Sequence, residues 1–128
     1  MTKVKWILVA AAWLGGIALT GFDQKAADLS GTWVGWTEVP NVGPDEVTLV
    51  LNKTEKGYNG TISDNQAVMN SNTEIKDVSI DGEKLSFVFP LSDGSLIITK
   101  LVVADDKMTG HWEHPEGTTG TIELVKKK

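Results

Sequence analysis

The sequence contains neither cysteine nor arginine, and all 12 of its basic residues are lysine. Without cysteine the chain can form no disulfide bond, no thiolate metal site and no cysteine nucleophile. Without arginine it lacks the planar guanidinium that binds a carboxylate or a phosphate through two hydrogen bonds. The formal net charge is −5, and because an acidic chain repels a phosphate backbone, we expect no nucleic-acid partner.

Recognisable catalytic and metal-binding patterns are also absent. The sequence has no Gly-x-Ser-x-Gly motif and no phosphate-binding loop. Its two histidines, His111 and His114, are three positions apart, so in a strand they would point to opposite faces of the sheet. We therefore predict no catalytic residues, no metal site and no cofactor, and we expect that the protein is not an enzyme.

The first 27 residues differ in composition from the rest of the chain. Lys3 and Lys5 precede a stretch of 14 residues, 6–19, that contains no charged side chain. A short positive region followed by such a stretch has the proportions of a secretory signal, whereas a membrane-spanning helix needs about 20 apolar residues. We predict that 1–27 is a signal peptide or an N-terminal membrane tether, and that 28–128 is a single extracytoplasmic domain.

The end of this segment reads Leu19, Thr20, Gly21, Phe22 and resembles the lipobox of bacterial lipoproteins, Leu-(Ala/Ser/Thr)-Gly-Cys. Phe22 stands where the lipidated cysteine would be, and without a thiol no thioether to lipid can form. Either the chain has lost a lipid anchor or the match is coincidental. The export signal itself predicts a location in the periplasm, in the cell envelope or outside a bacterial cell.

After Asp28 the helical periodicity of apolar residues disappears, and short alternating runs follow one another between turn residues. Asp81-Gly82, for example, is a strong signal for a two-residue hairpin turn. The alternation predicts eight strands, at 30–38, 45–53, 58–63, 74–80, 83–90, 95–103, 107–113 and 118–125.

Eight strands joined mostly by tight turns are expected to pair in sequence order. A flat sheet of this kind would leave two bare edges and one uncovered apolar face, and closing it into a barrel removes both problems. We predict an all-β fold, a single eight-stranded antiparallel up-and-down barrel. A β-sandwich is the alternative, but it favours long crossovers, and only 64–73 is long enough for one.

Several short motifs resemble those of the calycin group of barrels, which comprises lipocalins, fatty-acid-binding proteins and avidins. They are Gly31-Thr32-Trp33, Tyr58-Asn59-Gly60-Thr61-Ile62, Leu85-Ser86-Phe87 and Met108-Thr109-Gly110-His111-Trp112. The chain is most similar to small bacterial exported lipocalin-like proteins, and the resemblance implies that Gly31 and Trp33 form the structural floor of the barrel.

Two departures from the calycin pattern limit what the resemblance implies. Lipocalins usually stack an arginine on the tryptophan of the first strand, and this chain has no arginine. Avidins carry a biotin-contacting tyrosine where Ile62 stands here. We therefore do not expect biotin as a ligand.

In an up-and-down barrel successive connections alternate between the two ends. The connections 39–44, 64–73, 91–94 and 114–117 would share one end and include the two longest loops. Barrel mouths and loops carried on a rigid scaffold are common binding sites. We predict a mouth at this end, where the ligand-binding residues would be Trp36, Met69, Phe89, Trp112 and His114.

Two functions remain open at this stage. In the first, the exported barrel binds a small apolar or amphipathic ligand at its mouth through aromatic and methionine side chains. In the second, large side chains fill the barrel, which then acts as a protein-interaction or inhibitor module of the cell envelope. We expect a monomer in either case, with membrane contact only through the N-terminal segment.

Overall fold

The computed structural model describes residues 28–128, so the predictions made for 1–27, including the lipobox-like 19–22, lie outside the described residues. Within the described range there is no helix, and therefore none that is long and apolar enough to cross a membrane. The strands of this range are β1 (Gly31–Val39), β2 (Gly43–Thr54), β3 (Gly57–Asp64), β4 (Thr73–Glu74), β5 (Lys76–Asp81), β6 (Lys84–Pro90), β7 (Leu96–Ala104), β8 (Lys107–Glu113) and β9 (Thr119–Lys126).

The strands form one antiparallel sheet in the order β4-β3-β2-β1-β9-β8-β7-β6-β5. The first strand β1 pairs on one side with β2 and on the other with the last strand β9, where Val34 lies opposite Val125. The outermost strands of this order, β4 and β5, follow each other directly in the chain, and β3 contacts β5. The sheet therefore curls into a nearly closed barrel, which confirms the predicted up-and-down barrel over the sandwich.

The one departure from the predicted strands is a break in the strand expected at 74–80. Ile75 separates β4 from β5; it is buried, and its N–H donates to the carbonyl of Gly60 in β3 at 3.1 Å. Two residues later Asp77 has a φ of +52°, and the pairing of β5 with β6 shifts register there. This irregularity turns the chain away from β3 and towards β6, so eight predicted strands become nine.

Large apolar side chains fill the closed half of the barrel. Successive residues of a strand point to opposite faces, and in β7 every second residue is buried. Each large apolar side chain that is fully removed from water contributes about 1.5–3 kcal/mol. The largest deeply buried members of this core come from seven strands and are Trp33, Leu49, Leu51, Ile62, Leu85, Phe87, Leu101, Met108 and Leu124.

Trp33 lies at the closed end of the barrel, and a lysine covers it. Its side chain is only 1% exposed, and its Nε1–H donates to the carbonyl of Leu29 at 2.9 Å. The Nζ of Lys126, at the end of β9, lies 5.6 Å from the centre of the Trp33 ring and donates to the carbonyl of Asp28 at 3.2 Å. A cation over an indole face is attracted by the ring quadrupole. Lipocalins usually place an arginine on this tryptophan. In this chain Lys126 provides the positive charge at that position.

Inward-facing glycines mark places where neighbouring strands approach closely, as Gly60 and Gly110 show. A Cβ on Gly60 would overlap the backbone carbonyl oxygen of Val50, and one on Gly110 would overlap that of Lys100. Only a residue without a side chain fits such a contact. These glycines allow the sheet to coil tightly enough to close.

We expect the two tryptophans of β1 to differ in their effect on stability. Trp33→Ala should lower the free energy of unfolding by about 3–5 kcal/mol because it empties a buried site. Trp36→Ala should lower it by about 1 kcal/mol or less, because that side chain is 55% exposed. Urea denaturation of the two variants beside the wild type measures both values, and equal losses would contradict the placement of these side chains.

Candidate functional site

A cavity of about 230 Å³ lies at the end of the barrel that carries the connections 40–42, 65–72, 91–95 and 114–118. Its lining includes the exposed residues Pro40 and Glu116, so it opens to solvent at this end. The wall is mostly apolar and is made by Val39, Val47, Ile62, Val68, Met69, Phe89, Leu91, Ile97, Trp112 and Ile122. The polar side chains of the lining are those of Thr37, Asp45, Thr99, His114, Glu116 and Thr118.

Four of the five side chains predicted to bind a ligand meet at this cavity. Met69 and Phe89 are buried in its wall, and Trp112 and His114 are partly exposed at its rim. They come from a loop, from β6, from β8 and from the connection after β8. Their contact with a ligand stays a prediction.

The prediction that Trp36 lines the mouth is wrong. Trp33 faces the interior, and because strand residues alternate between faces, Trp36 three positions later faces outward. Its side chain is 55% exposed and borders a shallow groove on the outer surface, beside Val34 and Val125. The inward-facing residue at this level of β1 is its neighbour Thr37.

Trp112 is fixed in the cavity wall by a chain of two hydrogen bonds. Its Nε1–H donates to Oγ1 of Thr37 at 2.7 Å, and that hydroxyl donates to the carbonyl of Thr121 at 2.6 Å. The indole also lies against Gly120, where an added Cβ would overlap the ring. Side chains from β1 and β8 are thus held together across β9.

The loop 65–72 is tied down at both sides of the mouth. The carboxylate of Asp64 accepts the backbone N–H groups of Val68 at 3.0 Å and of Met69 at 3.3 Å. The carbonyl of Val68 accepts both the N–H and the hydroxyl of Ser92, each at 3.2 Å. These bonds hold Met69 over the cavity.

Asp45 is a buried acid in the cavity lining that sequence reasoning did not single out. Its side chain is 1% exposed, and its Oδ1 accepts the backbone N–H of Gln66 at 3.2 Å. Burial raises its pKa to about 7, and the hydrogen-bonded, negatively charged carboxyl of Asp64 adds to that rise. The sequence does indicate that Asp45 faces inward, because Asp45 occupies the same alternating positions of the strand as the apolar Val47 and Leu49.

The histidines do not come together. His111 is on the outer face, where its Nε2 lies 3.0 Å from Oε2 of Glu113, and Lys100 approaches the same oxygen at 3.8 Å. His114 lies at the cavity rim, and its Nδ1 accepts the backbone N–H of Glu116 at 3.1 Å. Among residues 28–128, no three potential metal ligands are close enough to hold an ion together.

No family model and no curated protein matches the chain. Among solved structures it is similar to the crystal structure of secretory abundant heat soluble protein 4 from Ramazzottius varieornatus. The TM-score is 0.51 at 15% sequence identity, and the match covers 83% of this chain and 100% of that chain. At this identity the likeness shows the fold alone, an all-β barrel.

The buried Asp45 predicts a specific dependence of stability on pH. A carboxyl whose pKa rises on folding stabilises the fold fully below its unfolded pKa of about 4 and loses that contribution as pH rises through its folded pKa. For Asp45 the loss should therefore fall between pH 4 and about pH 7. Asp45→Asn keeps an acceptor oxygen for Gln66 but cannot ionise.

We expect Asp45→Asn to gain about 2–4 kcal/mol of unfolding free energy relative to the wild type between pH 4 and pH 8. Urea denaturation of both proteins at several pH values measures this difference. A difference that stays constant across that range would show that Asp45 titrates as an ordinary surface carboxyl.

Proposed function

We propose that the barrel binds a small apolar or amphipathic molecule in the cavity at its mouth. The observation that carries the proposal is an open cavity of about 230 Å³ with ten apolar residues in its wall. Ligand sites are typically concave and mostly apolar, with a few placed polar groups. A buried cavity of about 150 Å³ accommodates benzene, so this one has room for about ten non-hydrogen atoms.

The size of the cavity also bears on the kind of ligand. A molecule with a long alkyl chain would leave most of that chain outside the barrel, where it gains nothing from burial. Compact aromatic or short-chain molecules fit the space better. The aromatic rings of Phe89 and Trp112, together with Met69, offer the polarisable contacts that such molecules favour.

Binding without catalysis is the activity that we propose. Nucleophilic catalysis needs a nucleophile within hydrogen-bond reach of a base. The hydroxyl of Thr37 already bonds Trp112 and a backbone carbonyl, and His114 bonds the backbone of Glu116. These partners support a binding role for the cavity residues.

The alternative function, a protein-interaction or inhibitor module, is favoured by one observation on the outer surface. Trp36 is 55% exposed and Val125 is 51% exposed, on the neighbouring strands β1 and β9. An exposed tryptophan is a common anchor of protein interfaces. We prefer ligand binding because the alternative assumed a barrel that is filled by side chains, whereas this barrel contains a cavity of about 230 Å³.

We also propose that 1–27 directs the export of the barrel across a bacterial membrane, and that the exported protein is a lipocalin-like monomer. We propose that it carries no lipid, because Phe22 stands at the position of the lipobox cysteine. In bacterial cells supplied with a clickable palmitate, the wild-type chain should reach the periplasmic fraction if 1–27 is a cleaved signal, or the membrane fraction if it is a tether, and in both cases without label. Phe22→Cys completes the lipobox and should become labelled. Retention of the wild type in the cytoplasm would contradict export, and an unlabelled Phe22→Cys variant would contradict the lipobox resemblance.

Ethylbenzene, which is apolar and fits the cavity, tests the binding proposal in a calorimetric titration of the full chain. Ile97→Phe fills the cavity from its wall and should weaken binding about tenfold or more. Ile98→Phe is the matched control, because the next residue faces outward and is 41% exposed; its affinity should equal that of the wild type. The proposal fails if the wild type shows no saturable binding, or if both variants bind as the wild type does.

A further inference from the structure

One polar atom in the cavity wall has no hydrogen-bond partner among the residues that the structure describes. Thr99 lies in β7 between the inward-facing Ile97 and Leu101, its side chain lines the cavity, and it is only 1% exposed. Within the described residues 28–128, its hydroxyl oxygen has no hydrogen-bond partner and almost no solvent contact. Burying a hydroxyl without a partner is unfavourable, and valine has the same shape without this cost.

The other buried polar groups of the cavity differ from Thr99 because their bonds are made within the protein. The hydroxyl of Thr37 accepts from Trp112 and donates to a backbone carbonyl. The carboxyl of Asp45 bonds the backbone of Gln66 and neighbours Asp64. Thr99 therefore keeps its hydrogen-bonding capacity for a ligand, and its hydroxyl can both donate and accept.

The charges around the cavity argue against an anionic ligand. The part of its lining that residues 28–128 provide holds two carboxyl groups, Asp45 and Glu116, and no lysine. Nδ1 of His114 already accepts the backbone N–H of Glu116 and is not available to a ligand. A ligand carboxylate would leave water without a cation to receive it.

We propose that the cavity selects compact apolar molecules with one uncharged hydroxyl group, and that this group hydrogen-bonds Oγ1 of Thr99. This inference rests on the proposed binding function and narrows it to a ligand class, small aromatic or short-chain alcohols. It makes Thr99 a specificity-determining residue, with the apolar wall supplying affinity for the rest of the molecule.

Four probes that share a phenyl ring and differ in their head group separate the contribution of the head group from that of the ring. They are ethylbenzene, 2-phenylethanol, phenylacetate and 2-phenylethylammonium. Each is titrated into the full chain at pH 7.5 by calorimetry. We expect phenylacetate to bind about tenfold more weakly than 2-phenylethanol, because its carboxylate would meet two carboxyl groups and no lysine among the described lining residues. The proposal is overturned if either the carboxylate or the ammonium probe binds more tightly than the alcohol.

Thr99→Val removes the hydroxyl and keeps the shape of the wall. It should weaken 2-phenylethanol about fivefold, the worth of one ordinary hydrogen bond, while ethylbenzene binds within about twofold of its wild-type affinity. Thr99→Ser should retain the affinity for the alcohol. Thr109→Val, a matched change at an exposed residue of β8, should alter neither probe.

Equal effects of Thr99→Val on the alcohol and on ethylbenzene would overturn the role of Thr99 but would leave the binding function intact. Absence of binding by all four probes would contradict the binding function itself, and this inference with it. Thermal unfolding provides an independent check, because the valine variant should be at least as stable as the wild type once an unpartnered hydroxyl is gone.

Discussion

The pairing of the first strand with the last is the constraint on which the rest of the structure depends. It sets Trp33 opposite Lys126 at the closed end, and Thr37 opposite Ile122 beside the cavity. A slip of one residue in this register would turn every inward side chain of one strand to the outside. The covered tryptophan and the cavity wall therefore follow from one pattern of backbone hydrogen bonds.

That register produces a barrel whose two halves are filled unequally. The closed half holds an indole and several leucines, whereas smaller side chains such as Thr37, Val47 and Thr99 face inward towards the mouth. Unfilled apolar space costs stability, and a ligand that binds only the folded state returns stability by mass action. A binding role gives this uneven filling a physical reason.

The local alternation of the sequence was enough to predict most of the fold. The strand positions, the turns at Asp81-Gly82 and elsewhere, and the end of the barrel that carries the long loops all depend on neighbours in the chain. Met69, Phe89, Trp112 and His114 were predicted to share the mouth because their loops and strand ends share it. Trp36 was misplaced because its height along β1 was considered without its alternation with Trp33.

The parts that could not be predicted depend on contacts between distant residues. The raised pKa of Asp45 requires Asp64, which is nineteen positions away and is brought beside it by the pairing of β2 with β3. The break at Ile75 reflects how the two ends of the sheet meet. The unpartnered hydroxyl of Thr99 depends on which groups the adjoining strands leave beside it, and no local pattern carries that information.

The central claim is that the mouth of the barrel, and not its outer surface, is the binding site. The indole N–H signals of Trp33, Trp36 and Trp112 in nitrogen-15 NMR spectra report three different places: the floor, the outer groove and the cavity wall. On titration with ethylbenzene, the signal of Trp112 should move and saturate while the other two stay within the noise. A saturable shift of Trp36 alone, or no shift of Trp112, would contradict the account.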